Sequence, residues 1–169
     1  SQIYHTTNFK GADVNILATS DNHGNVLSLP KFVKTIEANE DEIFVKPDAP
    51  STLNIFAIAG DWFINPSKKG FITKPSLSNG DIQLRFLKKT IDLVHKVVGK
   101  TSNYDTLFEM GNHDLDGGDK FIYKVINSTP MKVLSTNVDY EKSPIMEQLS
   151  QEENPKVAKS FVYEIPDDK

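Results

Sequence analysis

Three short segments of the chain carry residue types that bind divalent metal: Ser20-Asp21-Asn22-His23-Gly24, Gly60-Asp61 and Gly111-Asn112-His113-Asp114. Asp21 and His23 lie two apart, so an extended backbone would turn both side chains to one face and let them share an ion. Asp61 offers a carboxylate whose two oxygens can bridge two ions about 3.5–4 Å apart, and Asn112 adds a neutral amide oxygen. A mixed Asp, His and Asn set favours first-row divalent ions such as Mn, Fe, Co, Ni or Zn over calcium, which takes all-oxygen shells; the identity among them stays open. His113 adjoins Asn112, and Asp116 is close enough in sequence to orient its imidazole and favour the charged form. That pair reads as a proton donor with its positioning partner.

Singly, each of these residues has a plainer reading. An aspartate after a strand is usually a turn former or a helix cap, and His113 with Asp116 is by itself a turn histidine beside a capping acid. The ordered set is what points to a metal site. The run Asp114-Leu115-Asp116-Gly117-Gly118-Asp119 hints at a calcium loop, but a twelve-residue EF-hand loop from Asp114 would end at Val125, where a glutamate is required. His5 and His95 read as structural, Trp62 as core packing rather than a stacking platform, and Lys68-Lys69 and Lys88-Lys89 as solvated charge.

The elements that must position these residues follow from hydropathy patterning. Val14 to Thr19 and Leu53 to Ala59 are short, apolar and rich in branched residues, as buried strands are, and Thr106 to Met110 is a weaker third. Ser28-Leu29-Pro30 opens a helix carrying Phe32, Val33 and Ile36. Leu84, Leu87, Ile91, Val94 and Val98 recur at helical spacing, with Asp81 placed to cap and Gly99 to stop that helix. Phe121, Ile122, Val125 and Ile126 form a third helical stripe, Met131 to Ser135 a fourth strand, and Ser160 to Ile165 a last strand. Asn65 to Asn79 reads as a long surface loop, and Glu141 to Lys159 as a polar loop or short helix. This alternation predicts an α/β fold with a doubly wound parallel sheet, and ligand sites in such sheets lie outside the carboxyl ends of the strands. Asp21, Asp61 and Asn112 all fall there.

Composition narrows the function further. The 169 residues suit one core, the net charge of −4 gives no footprint for nucleic-acid polymers or an anionic membrane surface, and no stretch reads as a membrane span. Arg85 is the only arginine, so no guanidinium cluster awaits a phosphate; metal would have to supply the positive charge. With no cysteine, disulfides, cysteine-type zinc sites and thiolate nucleophiles are excluded. No basic-apolar-small leader opens the chain, which fits either a cytosolic protein or a mature exported one.

The DxH, GD and GNHD segments together resemble the calcineurin-like metallophosphoesterases. More narrowly, Gly111-Asn112-His113-Asp114-Leu115-Asp116 followed by Val133-Leu134-Ser135-Thr136-Asn137-Val138 resembles the 5′-nucleotidase branch; the likeness covers about residues 13–140. It implies a four-layer αββα sandwich and a dinuclear centre hydrolysing a nucleotide or related phosphomonoester with water or hydroxide activated on the ions. By position, Asp21 and His23 would hold the first ion, Asp61 would bridge, Asn112 would hold the second, and His113 with Asp116 would form the catalytic dyad assisting the leaving group. A periplasmic or extracellular location fits the likeness. A phosphoesterase with a non-nucleotide substrate and a catalytically silent binding module of the same fold remain as alternatives.

The chain also departs from the family pattern. Ala59 precedes Gly60-Asp61 where a glycine is common, and Trp62-Phe63-Ile64-Asn65-Pro66 follows where small residues are usual. Family members take further metal ligands from downstream histidines, whereas no histidine follows His113. The side chains present would fill only about half the positions that two five- or six-coordinate ions require. Residues 1–169 are therefore expected to be the first half of a metallophosphoesterase domain, inactive in isolation, with a C-terminal substrate-binding domain further on. A missing segment or self-association would cover the open face of its sheet.

Overall fold

The computed structural model of the chain describes residues 2–9, 12–23, 28–39, 52–63, 80–98 and 103–165. Among these, six strands form one sheet: β1 (Gln2–Phe9), β2 (Ala12–Thr19), β3 (Thr52–Ala59), β4 (Tyr104–Glu109), β5 (Lys132–Leu134) and β6 (Val157–Ala158). Four α-helices alternate with them: α1 (Leu29–Ala38), α2 (Asp81–Val98), α3 (Gly118–Ser128) and α4 (Pro144–Ser150). A 3₁₀ helix, His113–Gly117, leads into α3, and another spans Tyr140–Lys142. No helix among the described residues is long and apolar enough to cross a membrane.

Strand order in space follows order in sequence, β1 to β6. Strands β2 to β6 pair in parallel, and β1 lies antiparallel against β2 at the edge. The expected doubly wound order is thereby corrected. Double winding needs a reversal of direction partway along the sheet, whereas here each connection moves one strand further the same way, and right-handed crossovers then put every helix on one face.

Register shows the one-sidedness directly. Leu17 pairs with Phe56, Ile58 with Phe108, Phe108 with Val133 and Val133 with Val157, so these residues share a face. They form a single core with Ile36 of α1, Leu87 and Ile91 of α2, Ile122 and Ile126 of α3, and Leu149 of α4. The described residues thus supply one helical layer packed on one sheet. On the reverse face Asp105 accepts a hydrogen bond from the Tyr163 hydroxyl (2.6 Å) and pairs with Lys132 (2.8 Å), whose ammonium also lies over the Phe161 and Tyr163 rings. Residues 160–165 are an irregular strap there, not the expected last strand; β6 is instead the pair Val157–Ala158.

Local sequence explains the helix ends. Pro30 sits in the first turn of α1, where its missing N–H costs nothing, and the Asn39 amide returns to the Thr35 carbonyl (2.7 Å) at the other end. Asp81 is the first residue of α2 rather than its cap, and its carboxylate pairs with Lys124 of α3 at 2.5 Å. The Lys156 ammonium donates to the carbonyls of Ile126 and Thr129, closing α3. The surface loop expected at Asn65 to Asn79 and the stop expected at Gly99 lie outside the described residues. Strand β1 was not anticipated, because its polar alternation resembles loop composition and it is recognised only by pairing with β2.

Phe56 occupies the middle of the helix-facing side, fully buried and stacked near the Phe32 ring at 6.2 Å. Phe56→Ala is expected to lower stability by about 3–5 kcal/mol through lost burial and the cavity left behind. A urea unfolding curve measures this; a loss under about 1 kcal/mol would contradict the packing described.

Candidate metal centre

The loops leaving β2 and β3 are tied edge to edge by backbone, and the loop leaving β4 packs against the second of them. The Asp21 N–H donates to the Gly60 carbonyl (3.1 Å) and the His23 N–H to the Asp61 carbonyl (2.9 Å), extending the parallel pairing past the strand ends. Gly60 adopts φ +78°, open to glycine at no steric cost, and a Cβ added there would sit 3.2 Å from the Gly111 Cα. A Cβ on Gly111 would fall 2.1 Å from Asp61 Oδ1 and 2.4 Å from its backbone nitrogen. The second and third loops therefore meet without room for a side chain between them.

This contact gathers three of the expected ligands. His23 Nε2 lies 3.7 Å from Asp21 Oδ1 and 3.5 Å from Asp61 Oδ2, and one donor atom from each residue falls within 4.8 Å of the others. Asp21 and His23 are exposed, Asp61 half-buried. Asn112 stands on the adjoining loop, exposed, as the N-cap residue of the 3₁₀ helix.

The route to convergence differs from the one expected. Asp21 and His23 are not extended: both have φ 50°, and Asp61 has φ 51°. These are the only non-glycine residues with positive φ among the described residues. Left-handed backbone costs an L-residue about 1–2 kcal/mol, least for Asp, Asn and His, whose short polar side chains are enriched there. Such strain concentrates at functional sites because surrounding structure must hold it. Two carboxylates and an imidazole whose donor atoms converge on strained backbone fit a divalent ion: the donors are oxygen and nitrogen, and a cation would offset the two carboxylate charges.

Beside this triad, His113 Nδ1 lies 3.1 Å from Asp116 Oδ2. That hydrogen bond is the largest influence raising the imidazole pKa above its ordinary value; desolvation opposes it, and the charges of Asp61, Asp116 and Asp114 add to the rise. Nδ1 is the ring nitrogen that this contact engages. The His113 backbone N–H donates to Asp61 Oδ1 (3.0 Å), and the His23 and His113 rings meet edge-on with centroids 5.7 Å apart. The dyad and the triad thus form one site.

Asp114 closes the Gly111-Asn112-His113-Asp114 segment, but sequence reasoning gave it no role of its own and otherwise weighed it as the start of a failed calcium loop. It is 2% exposed and accepts backbone hydrogen bonds at 2.8 Å from Asp61, Phe63 and Gly111. Burial pushes its carboxyl up to about 6, against the pull of those three donors. Nothing in residue type separates it from the exposed acids around it; only the buried position does. Trp62 is buried, its indole N–H donating to the Gln83 carbonyl (3.1 Å), as core packing requires, and His95 stacks on Tyr104 away from the site.

A sequence model of the family described as calcineurin-like phosphoesterase matches residues 14–162. No curated protein and no solved structure matches the chain significantly. The matched span contains all three loops, the ligand triad and the His113–Asp116 pair. The chain belongs to the calcineurin-like phosphoesterase family.

Proposed function

We propose that this protein is a dinuclear-metal phosphomonoester hydrolase of 5′-nucleotidase type. Family membership supports metal-dependent phosphoester hydrolysis in general. The observation that carries the fuller reading is the juxtaposition of the Asp21, His23 and Asp61 donors with a His113 imidazole held by Asp116. The nucleotidase branch rests on the GNHDLD segment and on Val133 to Val138, which runs from β5 into the turn beyond it.

In this reading Asp21, His23 and Asp61 would hold one ion, and Asp61 with Asn112 the second. When bound, the two ions supply the positive charge that offsets the phosphoryl oxygens and bring water to a nucleophilic pKa. Asp116 holds the imidazole by Nδ1 and favours its protonated form. His113 then delivers a proton from Nε2 to the leaving alkoxide, a contribution of about 10²–10⁴ in rate. Completion of both coordination shells and of the nucleoside pocket is assigned to residues outside 1–169.

Roles divide cleanly in two variants of the full natural chain. Asp61→Asn is expected to abolish turnover by losing metal, and His113→Ala to lower kcat by about 10²–10⁴ with metal retained. Metal analysis beside hydrolysis of a chromogenic phosphomonoester and of a nucleoside 5′-monophosphate, with manganese or zinc, checks both. Equal metal loss in the two variants would contradict the roles. Turnover of the chromogenic ester without preference for the nucleotide would remove the nucleotidase reading, and tight metal binding without any turnover would leave a silent module.

The His113 proton sets the alkaline limb of kcat. Because Asp116 raises the imidazole pKa, Asp116→Asn removes the charge that favours the proton, and the limb moves to lower pH. A kcat–pH profile unmoved by this substitution would remove the dyad assignment.

Strain at the ligands makes a separate prediction that needs no turnover. Asp21→Gly relieves left-handed backbone at φ 50° and is expected to stabilise the metal-free protein by about 1 kcal/mol while weakening manganese binding. Metal-free thermal melts and manganese titration test the pair of effects; a destabilised variant with unchanged metal affinity would sink it.

A further inference from the structure

Two carboxylates cross between the second and third loops in opposite senses. Asp61, on the second, accepts from the His113 N–H of the third at 3.0 Å. Asp114, on the third, reaches back to the N–H groups of Asp61 and Phe63, and also holds its own loop through Gly111. Its two oxygens take all three donors: Oδ2 serves Asp61 and Gly111, Oδ1 serves Phe63. The amides so fixed belong to the bridging residue itself, to the residue two beyond it, and to the glycine just before Asn112.

Other buried polar side chains do different work. Asn15 and Asn54 bond across neighbouring strands, and Thr90 returns to the Phe86 carbonyl within its own helix. Asp114 alone among the buried carboxylates of the described residues joins two ligand-bearing loops, at a point where a methyl group would not fit between them. Asp61 sits there at φ 51°, a conformation that relaxes unless neighbours hold it.

We propose that Asp114 is a positioning residue for the metal centre: its carboxylate clamps the Asp61 and Gly111 amides and so sets where Asp61 and Asn112 present their oxygens. The proposal rests on the metal-site reading given above. A carboxylate suits the position because three N–H donors face its two oxygens. In Asp114→Asn the amide NH₂ must oppose either the Phe63 N–H or the shared Asp61 and Gly111 pair. Loss of an outer partner of this kind typically weakens metal binding about 10–100-fold.

The decisive comparison is manganese titration, followed by calorimetry and by electron paramagnetic resonance, of the full natural chain, Asp114→Asn and Ile126→Ala. Ile126 is fully buried in α3 and has no part in the site, so its variant reports what destabilisation alone does. Asp114→Asn should bind manganese at least about tenfold more weakly, while Ile126→Ala, with an equal or larger fall in melting temperature, should bind as the natural protein does. Natural affinity in Asp114→Asn, or an equal loss in Ile126→Ala, overturns the assignment. Amide hydrogen exchange of the metal-free natural protein decides the clamp without a variant, should Asp114→Asn fail to fold. The Asp61, Phe63 and Gly111 amides should exchange as slowly as those of Phe56 and Ile58; rapid exchange overturns it. If the natural protein binds neither manganese nor zinc while these amides stay protected, the metal-site reading fails and the positioning role falls with it, although the hydrogen bonds between the loops stand.

Discussion

The close approach of the Gly60-Asp61 and Gly111-Asn112 loops is the constraint on which the rest of the site depends. With no Cβ on either glycine the two backbones can touch, and hydrogen bonds running in both directions hold them: His113 N–H to Asp61, and the Asp61 and Phe63 N–H groups to Asp114. The first loop is then drawn in by its own backbone bonds to Gly60 and Asp61. Side chains remote in sequence become neighbours because the main chain that carries them is itself held at this contact.

Such a site carries conflicting charge. Asp21 and Asp61 point into a common space, and Asp114 and Asp116 stand close by, within one short stretch of chain. Asp114 is satisfied by amide donors and Asp116 by His113, which leaves Asp21 and Asp61 with His23 as the set whose charge a cation would balance. The left-handed backbone at all three adds a conformational cost of the kind that clusters at functional sites.

The one-sided sheet explains both the location of the site and the unequal faces of the molecule. Parallel strands running the same way put every carboxyl end on one edge, so successive loops meet there, and consecutive strand order keeps the β2, β3 and β4 loops adjacent. The same winding sends the four α-helices of the described residues to one side. On the other, Leu53 and Ile55 are buried while Leu107 and Leu134 are only half-covered, and the strap around Tyr163 is fastened by Asp105 and Lys132.

Residue type and periodicity determined much of this protein: four strands, three helices, the edge where the loops gather, and the chemical identities of Asp21, His23, Asp61, Asn112, His113 and Asp116 as candidate site residues. These were legible because hydrophobic period and donor chemistry are local properties of the chain. Tertiary structure alone decided the single winding, the polar strand β1, the irregular strap at 160–165, the left-handed backbone at Asp21, His23 and Asp61, and the burial of Asp114 among three backbone donors. Each of those depends on which segment lies alongside which. A strand with a polar pattern exists only once a neighbour accepts its hydrogen bonds, and a carboxylate becomes a clamp only when folding removes water and turns three distant amides toward it.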